Sequence, residues 1–246
     1  MNVFGLIGYP LTHSFSKKYF TEKFEKENIP NCVYELFEIE TVDLFPNLIN
    51  SNPDVKGFNV TIPHKQNIIP FLSRLDDSAK FVGAVNVIKK ETNGDWVGYN
   101  SDYYGFMESL KRFLPTNFSG IKALILGTGG AAKAVEAALK TLKIPYIQVS
   151  REARGEIISY QDVDSTFIQN HKLIVNTTPL GMYPKVDSAP DLPYESITNE
   201  HYLFDLVYNP AETLFLKKGK DNGANTQFGL EMLHLQAEKA WEIWTK

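Results

Sequence analysis

The sequence predicts an α/β protein of two domains, an N-terminal α/β domain carrying a candidate substrate site and a Rossmann-like nucleotide-binding domain after it. Three observations carry this prediction. Short apolar runs alternate with helix-period segments along nearly the whole chain, the pattern of βαβ units. The glycine-rich turn Gly127-Thr128-Gly129-Gly130 stands between an apolar run and an alanine-rich helical segment. The length of 246 residues exceeds the ~100–150 of an ordinary single domain.

In chain order, VFGLIG reads as a strand, SKKYFTEKFEKE as a helix, CVYELFEI as a strand, VDLFPNLI as a helix and KGFNV as a third strand. Within NVIKKETNGDWVGYN the pair Asn93-Gly94 marks a hairpin turn between two strands. The segment SDYYGFMESLKRFL reads as a helix with apolar positions at Tyr104, Met107, Leu110 and Leu114, and it is the candidate bridge between domains, the second starting around Asp102. After the turn at Pro115 to Gly120 come strand KALILG, a helix from about Gly130, and strands YIQVS, KLIVNT and YLFDLV. Leu230, Leu233, Ala237, Trp241 and Trp244 recur at helical spacing, an apolar stripe that reads as core packing.

Composition narrows the function. With 25 Lys plus Arg against 29 Asp plus Glu, the net charge of −4 gives no reason to expect nucleic acid as a partner. No apolar run approaches the ~18–20 residues that cross a bilayer, so no membrane span is expected. The N-terminus MNVFGLIGYP lacks the pattern of a secretion signal, and the single Cys32 cannot form an internal disulfide, which together suggest a cytoplasmic protein. His13, His64, His171, His201 and His234 are never three or four apart, so no metal site is expected.

At the glycine turn, Gly127 permits the tight bend, Gly129 lets backbone approach a ligand, and the helix start at Gly130 and Ala131 offers N–H groups and a positive dipole end to a pyrophosphate. Ala132 occupies the third glycine position of the dinucleotide fingerprint. At the end of the second strand of this domain stand Ser150 and Arg151, where an acid would bind a ribose 2′-OH; a guanidinium forks onto phosphate oxygens, so Arg151, with Arg154 near it, favours NADP, against the charge of Glu152. The bland reading of these arginines is solvated loop charge.

Four polar segments follow predicted strand ends in the first domain: His13 to Ser16, Asn59 to Lys65, Gly83 to Asn86, and Asn100 to Asp102. In open α/β sheets ligands sit beyond the carboxyl ends of strands, so these segments are expected to converge on one cleft facing the nucleotide domain. Hydroxyls, amides, a lysine and a carboxylate suit a small polyhydroxylated molecule. Each residue has a plainer reading alone: Ser14 or Ser16 as a helix cap, Asn86 and Asp102 as turn or cap residues, Lys65 as a surface lysine.

In the blocks GYPLTHSFS, GFNVTIPHK, GAVN, GYNSD, LGTGGAAKA, VNTTPLGM, DLVYNPAET and GLEMLHLQ, the chain resembles the shikimate dehydrogenase family from its first strand to its last helix. The resemblance implies reduction of 3-dehydroshikimate to shikimate with NADPH, on two α/β domains separated by a cleft. It implies that Ser14, Ser16 and Tyr208 hold the substrate carboxylate, that Thr61, Asn86, Asp102 and Gln236 bind ring hydroxyls, and that Lys65 is the acid/base. An Asp102 carboxylate would favour the protonated lysine, which delivers a proton to the carbonyl oxygen as charge develops there. Asp77, Leu206 and Gly229 fall at cofactor positions of the family, beside Gly127, Thr128, Gly129, Gly130, Ala131, Ser150 and Arg151. Because the final helix folds back in the family, the implied domains are 1–101 with 230–246 for substrate and 102–229 for NADP.

The chain departs from the family's usual pattern in Lys17, Lys18, Tyr19 and Phe20 after the serines, in Ser101 for threonine, and in Ser150 and Glu152 flanking Arg151. The expected partner is the small-molecule substrate, with the protein a monomer or homodimer. The alternatives are a quinate/shikimate dehydrogenase, whose blocks are much the same, and a nucleotide-sensing binding protein without turnover, against which a proton donor such as Lys65 argues.

Overall fold

The computed structural model describes residues 1–11 and 14–246; Thr12 and His13 lie outside the described residues. The chain divides into two compact units, residues 1–101 with 237–246, and residues 102–236.

The first unit is built from β1 (Asn2–Gly8), α1 (Phe15–Lys26), β2 (Cys32–Glu38), α2 (Phe45–Ser51), β3 (Val55–Val60), β4 (Arg74–Leu75), α3 (Asp77–Val82), β5 (Val87–Lys90) and β6 (Trp96–Tyr99). Its sheet runs β2-β1-β3-β5-β6-β4. The strands are parallel except β5, which opposes β3 and β6 because the turn at Gly94, with φ of 92°, returns the chain at once. Alternate residues of β1 serve opposite faces. Ile7 joins Phe45, Phe58 and Ile68 in one core, while Phe4 and Leu6 join Phe20 and Tyr34 in the other. That second face is closed by Ala237, Ala240 and Trp244 of the C-terminal segment. The Trp244 ring stacks on Phe4 at 4.8 Å and its Nε1 donates to Ile88 O at 3.0 Å. Lys23, only 8% exposed, joins Glu27 of its own helix region to Glu238 at 2.7 and 2.8 Å, so the segment is also tied by charge.

The second unit follows with α4 (Ser101–Phe113), β7 (Ala123–Leu126), α5 (Gly130–Thr141), β8 (Tyr146–Ser150), β9 (Ile158–Ser159), α6 (Ser165–Asn170), β10 (Leu173–Asn176), β11 (Tyr202–Asp205), α7 (Leu214–Asp221), β12 (Asn225–Phe228) and α8 (Leu230–Thr245), the last continuing into the first unit at Ala237. The sheet β12-β11-β10-β7-β8-β9 is parallel throughout. All four residues of β7 are buried, Ala123 and Ile125 against Phe106, Val135 and Phe204, Leu124 and Leu126 against Val149, Ile174 and Phe215. A strand covered on both faces reads as an unbroken apolar run, which is how KALILG looks in the sequence. The chain leaves β7 towards β8 and later returns to its other side as β10, a topological switch point. None of the described helices is long and apolar enough to cross a membrane.

The apolar stripe of α8 is divided. Ala237 and Trp244 are buried in the first unit, but Leu230 and Leu233 are only half-buried. Met232 is the residue enclosed in the second core, and Glu231 accepts from Ser109 Oγ at 3.0 Å and pairs with Arg112 at 2.9 Å. These contacts with α4 put the boundary between Gln236 and Ala237 rather than at residue 230. Truncating Trp244 to Ala should cost ~3–5 kcal/mol, as removal of a large buried aromatic does. Denaturant unfolding checks this, and a change under ~1 kcal/mol would mean that the C-terminal segment does not close that core.

Candidate functional site

In the first unit, five of the singled-out residues stand along one edge of the sheet. β1 and β3 end there, and since β5 runs the other way, Asn86 just before it lies at the same edge, its carbonyl accepting from Val60 N at 2.9 Å. Ser14 and Ser16 follow β1; Thr61 and Lys65 follow β3. Ser14 is the N-cap of α1, its hydroxyl accepting from Lys17 N at 3.4 Å. Ser16 is half-buried in the first turn of α1; the Tyr34 hydroxyl donates to Asn59 Oδ1 at 2.7 Å, and burial pushes the Tyr34 phenol up.

The segment carrying Thr61 and Lys65 is fastened by its backbone. Thr61 N donates to Ile7 O, His64 N to Thr61 O, and Val85 N to Lys65 O, at 2.9, 2.9 and 2.7 Å. The buried His64 ring bonds Ile39 O through Nε2 at 2.7 Å. Lys65 and Thr61 themselves are half-buried. Asn86 is buried and pairs doubly with Ser101, accepting from its N–H at 2.7 Å and donating to its hydroxyl at 3.0 Å. Asp77 is different. It lies in the first turn of α3 beyond β4, with its side chain fully exposed and paired with Lys80 at 3.4 Å, while Asp76 caps the helix through Ser78 N and Ala79 N.

In the second unit, Gly127 has φ of 112°, and a Cβ there would stand 2.6 Å from Thr177 Oγ1, so the turn admits only glycine. Gly129 caps α5 without a side-chain hydrogen bond, and nothing lies within 4 Å of where its Cβ would be. The first-turn N–H groups of the 12-residue α5, from Gly130 and Ala131 on, thus receive no side-chain cap, and the space beside the Gly129 Cα is open, an arrangement suited to an anion. Ser150 ends β8 half-buried and Arg151 after it is exposed. Leu206 and Gly229 meet through their backbones: Gly229 N donates to Val207 O at 3.1 Å, and a Cβ on Gly229 would collide with Leu206 O. Tyr208, two residues on, is half-buried, and burial pushes its phenol up. Asp102 is buried in the first turn of α4. Gln236 has a buried Oε1 without a hydrogen-bond partner among the described residues, an acceptor that a ligand hydroxyl would satisfy.

Sequence reasoning passed over the buried polar residues behind this surface. Asp205, fully enclosed at the end of β11, accepts from Asn176, Val207 N and the Thr213 hydroxyl. Its signal lay inside VNTTPLGM and DLVYNPAET, where an amide and an acid interrupt apolar runs.

Residues 6–88 match the family model described as the shikimate dehydrogenase substrate binding domain. A shikimate dehydrogenase (NADP(+)) of Clostridium beijerinckii is 42% identical over 253 residues, covering 99% of this chain and 92% of that protein. The chain belongs to the shikimate dehydrogenase family. Among solved members, a shikimate dehydrogenase in complex with NADP+ superposes with a TM-score of 0.88 at 34% identity, covering 100% of this chain and 90% of that one. The shikimate 5-dehydrogenase of Thermus thermophilus, in complex with NADP(H) and shikimate, gives 0.85 at 30%, covering 100% and 94%.

Burial pushes Asp205 up to about 6 even against its three donors, whereas an aspartate in an unfolded chain ionises near ~3.9. The folded state thus holds an extra proton between these values, and the stability it contributes is full below pH ~4 and lost as pH rises through about 6. Asp205→Asn lacks that titration. The melting temperature of the unaltered protein relative to this variant should therefore fall from pH 4.5 to pH 7, and a constant difference would show that Asp205 ionises normally.

Proposed function

We propose that the chain is a cytoplasmic NADP-dependent oxidoreductase that reversibly reduces 3-dehydroshikimate to shikimate, a step of the shikimate pathway towards aromatic amino acids. The observation that carries this is the row Ser14, Ser16, Thr61, Lys65 and Asn86 along a single sheet edge, in a chain 42% identical to a curated shikimate dehydrogenase (NADP(+)) over 99% of its length. On this reading residues 1–101 with the C-terminal segment bind substrate, and the parallel sheet of the second unit binds cofactor.

NADPH, when bound, supplies the hydride for the ring carbonyl. The residues present fit it: the uncapped start of α5 and the left-handed Gly127 suit its pyrophosphate, and Arg151 after β8 suits a 2′-phosphate. The backbones of Leu206 and Gly229 are further cofactor contacts. Asp77, being exposed and paired with Lys80, has the weakest support as one. Lys65 delivers the proton to the carbonyl oxygen and takes it back in the oxidation, with Asp102 as the catalytic carboxylate. Ser14, Ser16 and Tyr208 donate hydrogen bonds to the substrate carboxylate, while Thr61, Asn86, Asp102 and Gln236 sort the ring hydroxyls; the orphaned Gln236 Oε1 needs such a donor.

Incubation with shikimate and NADP, followed by absorbance of the reduced cofactor, tests the function, and absence of turnover would sink it. Lys65→Ala should keep the fold and lose kcat by ~10²–10⁴-fold, the range for a positioned acid/base. Near-normal kcat would remove Lys65 from the chemistry. Arg151→Ala should raise KM for NADP far more than for NAD; equal effects would show that the guanidinium does not read the phosphate.

A further inference from the structure

Asp205 holds none of the roles assigned above, yet its carboxylate joins three separate parts of the second unit. Oδ1 accepts from Asn176 Nδ2 at the end of β10 and from Val207 N, both at 3.0 Å. Oδ2 accepts from the Thr213 hydroxyl at 2.6 Å, and Thr213 caps α7. The orientation of the Asn176 amide is set independently, since its Oδ1 takes both the N–H and the hydroxyl of Thr178, at 3.1 and 2.7 Å, leaving its NH2 for Asp205. The turn so held is short. Leu206 N bonds Asn176 O at 3.0 Å, Val207 O takes Gly229 N, and Asn209 O takes Tyr183 N at 3.1 Å. Tyr208 thus projects from a backbone fastened on either side.

We propose that Asp205 is a positioning residue, fixing the 206–209 turn and through it the place at which Tyr208 holds the substrate carboxylate. This rests on the reading that Tyr208 binds that carboxylate. An acceptor anchored to β10 and α7 that binds the N–H next to Tyr208 removes backbone freedom that binding of the substrate carboxylate would otherwise have to freeze out, so the pre-ordered turn favours binding.

The test is a mutant cycle on the full chain, reading KM for shikimate at saturating NADP. Asp205→Ala should raise KM by roughly tenfold with kcat changed much less, the split expected when ground-state and transition-state binding fall together. Asp205→Asn keeps an Oδ1 acceptor for Asn176 and Val207 and should restore KM to within about threefold. Added to Tyr208→Phe, Asp205→Ala should raise KM by less than about twofold, because both changes lose the same contact. Full multiplication of the two effects, or an unchanged KM in Asp205→Ala, overturns the proposal. Should Asp205→Ala not fold, Thr213→Val carries the same cycle, with Thr213→Ser expected to restore the original KM. An unchanged KM in Tyr208→Phe overturns the role of Tyr208 and this proposal together but leaves the dehydrogenase standing, whereas an inactive unaltered protein overturns the function itself.

Discussion

Each sheet must end somewhere, and at its carboxyl edge the strands deliver polar backbone into a region closed off by apolar layers. A buried N–H or carbonyl left unpaired there costs at least as much as a net hydrogen bond contributes, so every loop leaving the edge is shaped by where its polar groups find partners. In the first unit Asn86 supplies the solution: its carbonyl takes Val60 N and its amide pairs with Ser101, so one residue ties the ends of β3 and β6 to the start of β5. The His64 ring performs the corresponding service for the Thr61–Lys65 segment by reaching Ile39 O. In the second unit the service falls to Asn176 and Asp205. The candidate site residues are therefore presented by loops with little backbone freedom.

The apolar layers make that rigidity possible. Both sheets are covered on both faces, with Phe58 and Phe20 on opposite sides of the first and Phe204 and Phe215 on opposite sides of the second. Burial on this scale supplies the stability against which a charge such as Asp205 can be enclosed. Its raised pKa means that ionisation there is a cost to the fold, and such costs are tolerated where they place something useful.

Much of this was legible in the sequence. Strands covered on both faces read as apolar runs, and long helices such as α4 and α5 show their period. What escaped did so for physical reasons. The edge strand β12, Asn225–Phe228, has no fully buried residue and so no apolar signature, and β4 and β9 are two residues each. The six-residue α3 and α6 are too short for periodicity and are announced only by their caps, Asp76 and Asp164. The division of α8 at Ala237 was hidden because both of its halves carry apolar residues. For the candidate site, motif resemblance singled out individual residues such as Thr61, Lys65 and Asn86, but the enclosed Asp205, a common acceptor for Asn176, Val207 and Thr213, looks in sequence like an isolated acid. Its importance comes from enclosure, which only the folded chain has.

Ser14 illustrates how a plain and a functional reading of one residue can both hold. As the N-cap of α1 its hydroxyl accepts the Lys17 N–H, which occupies a lone pair and leaves the hydroxyl proton to be donated elsewhere. The first turn of α1 contains no acidic residue, so nothing on the helix opposes an anion at its start, and the partial positive charge of a 12-residue helix favours one. Ser16, the second residue of the helix, adds another hydroxyl to the same first turn, and nearby in the sheet the Tyr34 phenol donates to Asn59 of β3. A neutral pair of hydroxyls placed at a helix start thus has the polarity to hold a carboxylate without an arginine, and Asn59, which anchors the Tyr34 hydroxyl, lies on the same strand that carries Thr61 and Lys65 beyond its end.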